Sequence, residues 1–447
     1  MQPDRPSIAT MVALAGPAAP MSALSLPLII YLPEFFSNAL GIDLALVGLM
    51  FTLVRVADLA FDPLLGGLMD RTTTRFGQFR PWLVIGVPVV MIGTMMLFMA
   101  EPGAGPLRLS LGLALAYAGY SIVNLAQMGL GTDLTANYQQ RSRVFAWWQA
   151  FNGLGLVLVL LLPLLLPYVI GEGSSPDGRL TVRTMGWFVL VTLPITVLIC
   201  VMRVRESNLG HRSHVASLAD YRSLLSLSST RLLLLAQILI GTAGGIASAV
   251  FIFFFTMIKH VPRDYVGLQF LILTFASMTS AILWSWVANR IGKHRALIVG
   301  CAVYAGYLLA LFVMPPGHLL LFYALAVPGG VAAASFDMMP RAMMADVSDE
   351  DRLASGHDRL GMLFALLTVT IKLGQAISIG VVYFLLDLLG FHADAVAKNP
   401  ASALLGVSAL FTLVPLALYG VAALITSRYR LTPARHHEIL VKLGEAG

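Results

Sequence analysis

Charge is what this sequence has least of. Only 12% of its 447 residues are Asp, Glu, Lys or Arg, where an ordinary soluble chain carries about a quarter. With 58% apolar residues and a mean hydropathy of +0.82, too little polar surface remains to clothe a water-soluble body. That excludes most cytosolic enzymes and places the chain in a membrane. Cysteine is nearly absent. Cys200 and Cys301 sit inside apolar runs and read as buried thiols, so a disulfide scaffold is excluded. The 40 glycines follow no triplet repeat, which removes collagen, and the hydrophobicity removes disorder. Catalytic signatures are missing as well. The sequence has no HExxH, GxSxG or GxxxxGK[ST], and its one histidine pair, His436 and His437, stands in a polar tail. An intramembrane hydrolase or an ATP-driven pump would lack its essential parts, and no filter-like repeat supports a channel. A net charge of +6 does not indicate nucleic acid, because the basic residues lie scattered between apolar segments instead of on one face.

What the sequence has is long apolar runs. A helix needs about 20 apolar residues to cross the hydrocarbon core. Twelve segments qualify, at roughly 12–36, 44–69, 81–100, 108–131, 145–170, 185–203, 231–258, 265–288, 296–314, 319–344, 360–389 and 402–427. The first lacks the charged start, short apolar middle and small-residue cleavage site of a signal peptide, so it counts as a span. The expected fold is all-α and integral to the membrane. Of the 29 Lys and Arg residues, 21 fall on one side if both termini are cytoplasmic, 6 on the other, and Arg55 and Lys372 within spans. This bias sets both termini inside.

The longest polar stretch, 204–230, divides the chain six plus six. The expected organisation is an N-terminal six-helix bundle over 1–203, a cytoplasmic central loop over 204–230, a C-terminal six-helix bundle over 231–427 and a cytoplasmic tail over 428–447. An internal echo supports two related halves. Asp70-Arg71 with Arg75, Gly77 and Arg80 after span two recurs after span eight as Asn289-Arg290, Gly292-Lys293 and Arg295. Halves of this kind build rocker-type secondary transporters.

An ionisable side chain within a span costs at least about 2.5 kcal/mol, so each one asks for a reason. Span two carries Arg55, Asp58 and Asp62, and spacings of three and four put them on one helical face. Pro63 follows, and without its N–H the carbonyl of Leu59 loses its helical donor beside two carboxylates. Gathered oxygens suit Na+, and a carboxylate pair can equally share one proton. An Arg55–Asp58 ion pair is the structural alternative, although one arginine does not neutralise both acids. Lys372 stands in span eleven within Thr368-Val-Thr-Ile-Lys-Leu-Gly-Gln375. Its predicted partners are Asp58, Asp62, Asp337 or an anionic group on a substrate. Asp337 near Arg341 admits a salt bridge at the end of its span. Glu34 and Asp387, near outer ends, are expected to be solvated. Ser121, Asn124 and Gln127 recur at helical spacing in span four, and Gln149 and Asn152 lie in span five. Such groups serve most often as interhelical hydrogen bonds.

The run Arg55-Val-Ala-Asp58-Leu-Ala-Phe-Asp62-Pro63-Leu-Leu-Gly66, followed by Asp70-Arg71, Gly77 and Arg80-Pro81-Trp82, resembles the melibiose permease-like branch of the major facilitator superfamily, the glycoside-pentoside-hexuronide:cation symporters. Ala345-Asp346-Val347-Ser-Asp349-Glu350 through Gly356, Arg359 and Gly361 to Lys372-Leu373-Gly374 is similar to the same branch between spans ten and eleven, and Asp133-Leu134-Thr135 through Tyr138 to Arg141 to its loop after span four. The resemblance covers essentially the whole chain and implies the major facilitator fold. Carried over residue by residue, it puts a cation site on Asp58, Asp62 and Ser121 and the lysine that links substrate and cation on Lys372. The family's two sugar-holding carboxylates fall on Ser22 and Asn124, an arginine of span five on Gln149, and a tryptophan of span ten near Asp337, so galactoside recognition of the usual kind is not implied. Substrate contacts then fall to Ser22, Asn124, Gln149, Asp337, Thr368 and Lys372. Gating and coupling fall to Arg55, Asp70, Arg71, Arg80, Asp133, Arg141, Asp346 and Arg359. The function implied is Na+- or H+-coupled symport of a glycoside, pentoside or hexuronide by a monomer in a bacterial inner membrane. The partners are then a small solute, a monovalent cation and the bilayer, with no cofactor and no nucleic acid. A lysophospholipid or other amphiphile as cargo is the alternative.

Overall fold

Residues 7–72, 74–134, 138–170, 178–204, 206, 218–356, 359–393 and 399–444 are described by the structure, a computed structural model. Among them the chain is helical throughout, with one isolated bridge between Thr74 and Gly77. It divides into two compact units, Met1–Ser213 with His392–Lys398, and His214–Phe391 with Asn399–Gly447.

In the first unit the spans are α1 (Ile8–Asn38), α2 (Leu44–Asp70), α3 (Arg80–Phe98), α4 (Pro106–Asp133), α5 (Tyr138–Ile170) and α6 (Arg179–Arg203). The second unit holds a short helix α7 (Leu218–Ser226), then α8 (Ser228–Ile258), α9 (Arg263–Thr279), α10 (Ala281–Ile291), α11 (Lys293–Val313), α12 (Leu319–Ser355), α13 (Leu360–Leu388), α14 (Ala401–Ser427) and the tail helix α15 (Pro433–Lys442). Eleven helices among the described residues are long and apolar enough to cross a membrane, and the bent α9–α10 pair makes a twelfth. Each unit thus supplies six spans.

The two bundles repeat one pattern of neighbours. In the first, α1 packs on α5 and α6, α2 on α4, and α3 on α4 and α6. In the second, α8 packs on α13 and α14, α9 on α12, and α11 on α12 and α14. Small residues let these helices approach closely, as membrane helices require when apolar burial no longer distinguishes protein from lipid. Gly155 of α5 is an example. A Cβ there would stand 2.0 Å from the Ala19 carbonyl oxygen of α1.

Four departures from the sequence expectations have local causes. Span eight is not one straight helix, since α9 and α10 meet at 48°. The hydroxyl of Ser280 donates to Ser277 O at 2.8 Å and that of Thr279 to Phe275 O at 3.0 Å, and such back-bonding at adjacent residues bends a helix. Span ten continues well past residue 344. Ala342 to Arg352 holds no glycine and no proline after Pro340, so nothing breaks α12 before Gly356, and it runs through Asp346, Asp349 and Asp351 to Ser355, where a loop was expected. The central stretch 204–230 contains the helix α7, while 205 and 207–217 lie outside the described residues. Glu34 is 2% exposed and not solvated, its Oε1 accepting from Asn38 Nδ2 at 2.9 Å. Asp387 is exposed as expected.

Among the described residues three helices carry a π turn, Pro27–Tyr31 in α1, Phe254–Ile258 in α8 and Ala409–Leu413 in α14. The latter two meet. Phe254 stacks on Phe411 with centroids 4.2 Å apart, and Phe255 and Phe251 close around them. Pro27 lacks the N–H that an α turn would use, which accounts for the widened turn in α1.

The turn before α3 holds a second fixed point. Backbone N–H groups of Gln78, Phe79 and Arg80 all donate to the Glu206 carboxylate, an anion seated on a helix N-terminus. Gly77 makes this possible with φ 107, where a Cβ would lie 2.2 Å from Glu206 Oε2. Gly77→Ala is expected to lower unfolding stability by about 1–3 kcal/mol through strain and displaced carboxylate. Thermal unfolding in detergent checks this, and Glu206→Ala should relieve only the steric part in the double variant.

Candidate cation and solute site

The centre of the first unit is built by α2 and α4. Positions 55, 58 and 62 lie one helical turn apart on α2, and 117, 121 and 124 do the same on α4. Asp58 is 6% exposed and Ser121 3%. The Ser121 hydroxyl donates to Asp58 Oδ1 at 3.1 Å. One turn before it, the guanidinium of Arg55, 7% exposed, sits 4.4 Å from the centroid of the Tyr117 ring, a cation–π contact strengthened by desolvation. Asp62 is half-buried one turn further along, and α2 continues unbroken through Pro63.

A recess of about 320 Å³ opens beside these groups, lined by Val54, Ala57, Asp58, Phe61, Tyr117 and Ala118 among others. Asp58 is its one ionisable carboxylate. In apolar surroundings a carboxylate attracts a cation or proton strongly, because water competes less for it. Among the described residues no group of three or more His, Cys, Asp or Glu side chains gathers as a multivalent metal site would. The groups brought together here are one carboxylate and one hydroxyl, with Asp62 a helical turn further along α2.

The expected solute contacts fare differently. Ser22 is buried, and its hydroxyl donates to the Asn152 carbonyl at 2.7 Å and to Ala19 O at 3.0 Å. It fastens α1 to α5, and its proton is committed there instead of to a solute. Thr368 is exposed and donates to Phe364 O one turn back, an intrahelical bond. Asp337 is exposed and paired with Arg341 at 2.9 Å, the end-of-span salt bridge that spacing of four permits. Asn124 is half-buried and Gln149 exposed. In the second unit Lys372 is half-buried on α13, beside the close α8–α13 contact where a Cβ on Gly374 would meet Thr242 N at 2.8 Å.

Of the expected gating residues, Arg80, Asp346 and Arg359 have partners within their own units. Arg80 donates through Nη2 to the Val201 carbonyl near the end of α6, and Arg71 is exposed. The side chains of Asp70, Asp133 and Arg141 lie outside the described residues. Asp346 is held by Lys293 at 2.5 Å and faces His436 of the tail helix at 3.6 Å. Arg359, at the N-cap of α13, binds Asp351 with two nitrogens, Nε at 2.9 Å and Nη2 at 2.5 Å. It also reaches Asp220 at 3.5 Å and Ser223 at 3.2 Å on α7. The hydrogen bonds to Asp351 raise the pKa of Arg359 further above the arginine range, against the opposing effect of burial. Sequence reasoning did not single out Tyr117, Glu206, Asp220, Asp351 or His436. Only Tyr117 had a usable signal, its position one turn before Ser121.

The sequence profile described as MFS/sugar transport protein matches residues 13–433. The chain belongs to the MFS/sugar transport protein family. It is an integral membrane transporter, and the resemblance to the glycoside-pentoside-hexuronide:cation symporter branch stands. The glucuronide carrier protein homolog of Escherichia coli (strain K12) is 28% identical over 432 residues, covering 93% of this chain and 90% of its own. The inner membrane symporter YicJ of the same organism is 25% identical over 416 residues, 90% of this chain and 86% of its own. Among solved structures, a mutant of the nucleoside transporter NupG superposes with a TM-score of 0.70 at 11% identity, covering 93% of this chain and 98% of that one. That likeness concerns the fold alone.

Proposed function

We propose that the protein is a cation-coupled symporter for a sugar-like solute of the glycoside, pentoside or hexuronide class, working by alternating access in a bacterial inner membrane. The observation that carries this reading is the buried Asp58 carboxylate, hydrogen-bonded by Ser121 and facing an apolar recess. Asp58, Asp62 and Ser121 bind the coupling Na+ or proton. Binding the cation or proton at these acids lowers the cost of carrying their charge through the bilayer. The proposed solute-binding residues are Asn124 and Gln149 in the first unit and Lys372 in the second, whose ammonium suits a hexuronide carboxylate. Coupling requires that cation and solute favour the same conformational change. With one cation per cycle, each 100 mV of membrane potential supplies about 2.3 kcal/mol, enough for roughly fortyfold accumulation.

A family described as sugar transport and a relative named for glucuronide favour this cargo over lysophospholipid. Uptake into proteoliposomes tests both. A panel of glycosides, pentoses, hexuronides and lysophospholipids, each with an imposed Na+ or proton gradient, is expected to show one sugar-class solute accumulating against its own gradient. Uptake that never exceeds equilibrium for any sugar, or gradient-driven movement of lysophospholipid alone, would overturn the proposal.

A further inference from the structure

A second cavity lies within the second unit and shares no residue with the α2 site. It has a volume of about 270 Å³ and is bordered by the start of α11, the distal part of α12 and the tail helix α15, with Asn289, Lys293, His294, Asp346, His436 and His437 supplying its polar lining. Apart from Asp346, which was expected to serve gating, none of its lining residues has a role in the transport mechanism above. Three features give it a chemical preference.

The first is the N-terminus of α11. Gly292 is its N-cap and offers no side chain to receive the first-turn N–H groups, which leaves an uncapped, partly positive helix end at the cavity wall. The second is His294 in that same turn. It is 8% exposed and lines the cavity, and its ring is packed 6.2 Å from that of Tyr429. No hydrogen bond to the described residues holds its ring nitrogens, and they are not sealed in the interior, so the cavity is the side from which a ligand can reach them. The third is the balance of charge. The one carboxylate in the lining, Asp346, is already bound by Lys293 at 2.5 Å, and Asp349 beside it faces His436 at 2.8 Å. The lining itself offers a ligand the donors of His294, His437, Asn289 and the first-turn N–H groups, while the carboxylate of Glu350, outside the lining, also acts on Tyr429. Arg290 in the last turn of α10 and Arg295 in the first turn of α11 are exposed beside this lining in sequence.

We infer that this cavity binds a phosphate-bearing anion. The helix end and His294 receive the phosphate oxygens, as helix N-termini do elsewhere. The volume leaves room for a small organic group beside Asn289. Because α15 forms one wall and docks on α12 through the His436–Asp349 contact, an occupied cavity ties the tail helix to the bundle. The phosphate can come from a soluble monoester or from a lipid headgroup.

Isothermal titration of the intact protein with inorganic phosphate, in nanodiscs of neutral phosphatidylcholine and with chloride at equal ionic strength as the control, separates these sources. Saturable phosphate binding is expected in the neutral nanodiscs, weakened at least tenfold in His294→Gln and in His437→Ala. His437 is exposed, so its variant keeps the test sound if His294→Gln does not fold. Binding that vanishes when the nanodiscs contain phosphatidylglycerol, together with a stabilisation by that lipid which both variants lose, assigns the same site to a headgroup. No saturable phosphate heat and no lipid effect, or effects that both variants retain in full, would overturn the inference.

Discussion

Asp58→Asn is expected to reduce solute accumulation from roughly fortyfold per 100 mV to equilibration, while the protein still folds and reaches the membrane. Asparagine keeps the shape of the side chain and an oxygen that still accepts the Ser121 hydroxyl, so the 3.1 Å contact between α2 and α4 survives. The negative charge does not survive. With it goes the attraction for a cation that a buried carboxylate exerts, and the free energy that the cation contributes per cycle. Asp62→Asn should act in the same direction. Ser121→Ala should be milder, since one neutral hydrogen bond is worth about 1 kcal/mol, which appears as a severalfold rise in the cation concentration for half-maximal uptake. Counterflow exchange of labelled solute separates lost coupling from lost binding. Undiminished gradient-driven uptake in both asparagine variants would remove the cation site from α2.

Arg359→Ala should be the most destabilising single change at the end of the second bundle. The Arg359 side chain is 10% exposed and Asp351 3%, so removing the guanidinium leaves a buried carboxylate without its two-nitrogen partner. The cost of breaking such a pair is about 3–5 kcal/mol. The double variant Arg359→Ala/Asp351→Ala should recover most of that loss, because no charge is then left buried. Asp220→Asn should change little, since that carboxylate is 40% exposed and 3.5 Å away, where solvent screens the pair. Thermal unfolding of the four proteins in one detergent checks the order. Equal melting temperatures for wild type and Arg359→Ala would show that the pair contributes nothing.

The spans were legible because lipid asks for a long apolar run and little else, and the α2 charges because anything else in such a run is conspicuous. Partners across the sequence were not. Nothing local says that Glu206 belongs on the N–H groups of Gln78 to Arg80, or that Asp351 closes on Arg359, since these contacts depend on how helices pack. Ser22 shows the converse limit. Its position in the family pattern suggested a solute contact, whereas its depth between α1 and α5 gives it the Asn152 carbonyl. The bend at Ser280 escaped because hydropathy averages over the residues whose hydroxyls cause it.

The π turn at Pro27–Tyr31 has an angular consequence for α1. Ser22 and Glu34 are twelve positions apart, and at about 100° per residue a regular helix would aim them about 120° from one another. The widened turn absorbs one residue, which brings the offset to about 20°. Both side chains therefore point to the same side, and both are buried, at 3% and 2% exposure. Deleting one residue of that turn would therefore leave Glu34 facing as it does, since eleven positions of regular helix give the same offset of about 20°, whereas closing the turn to a regular helix at full length would swing the carboxylate by about 100°.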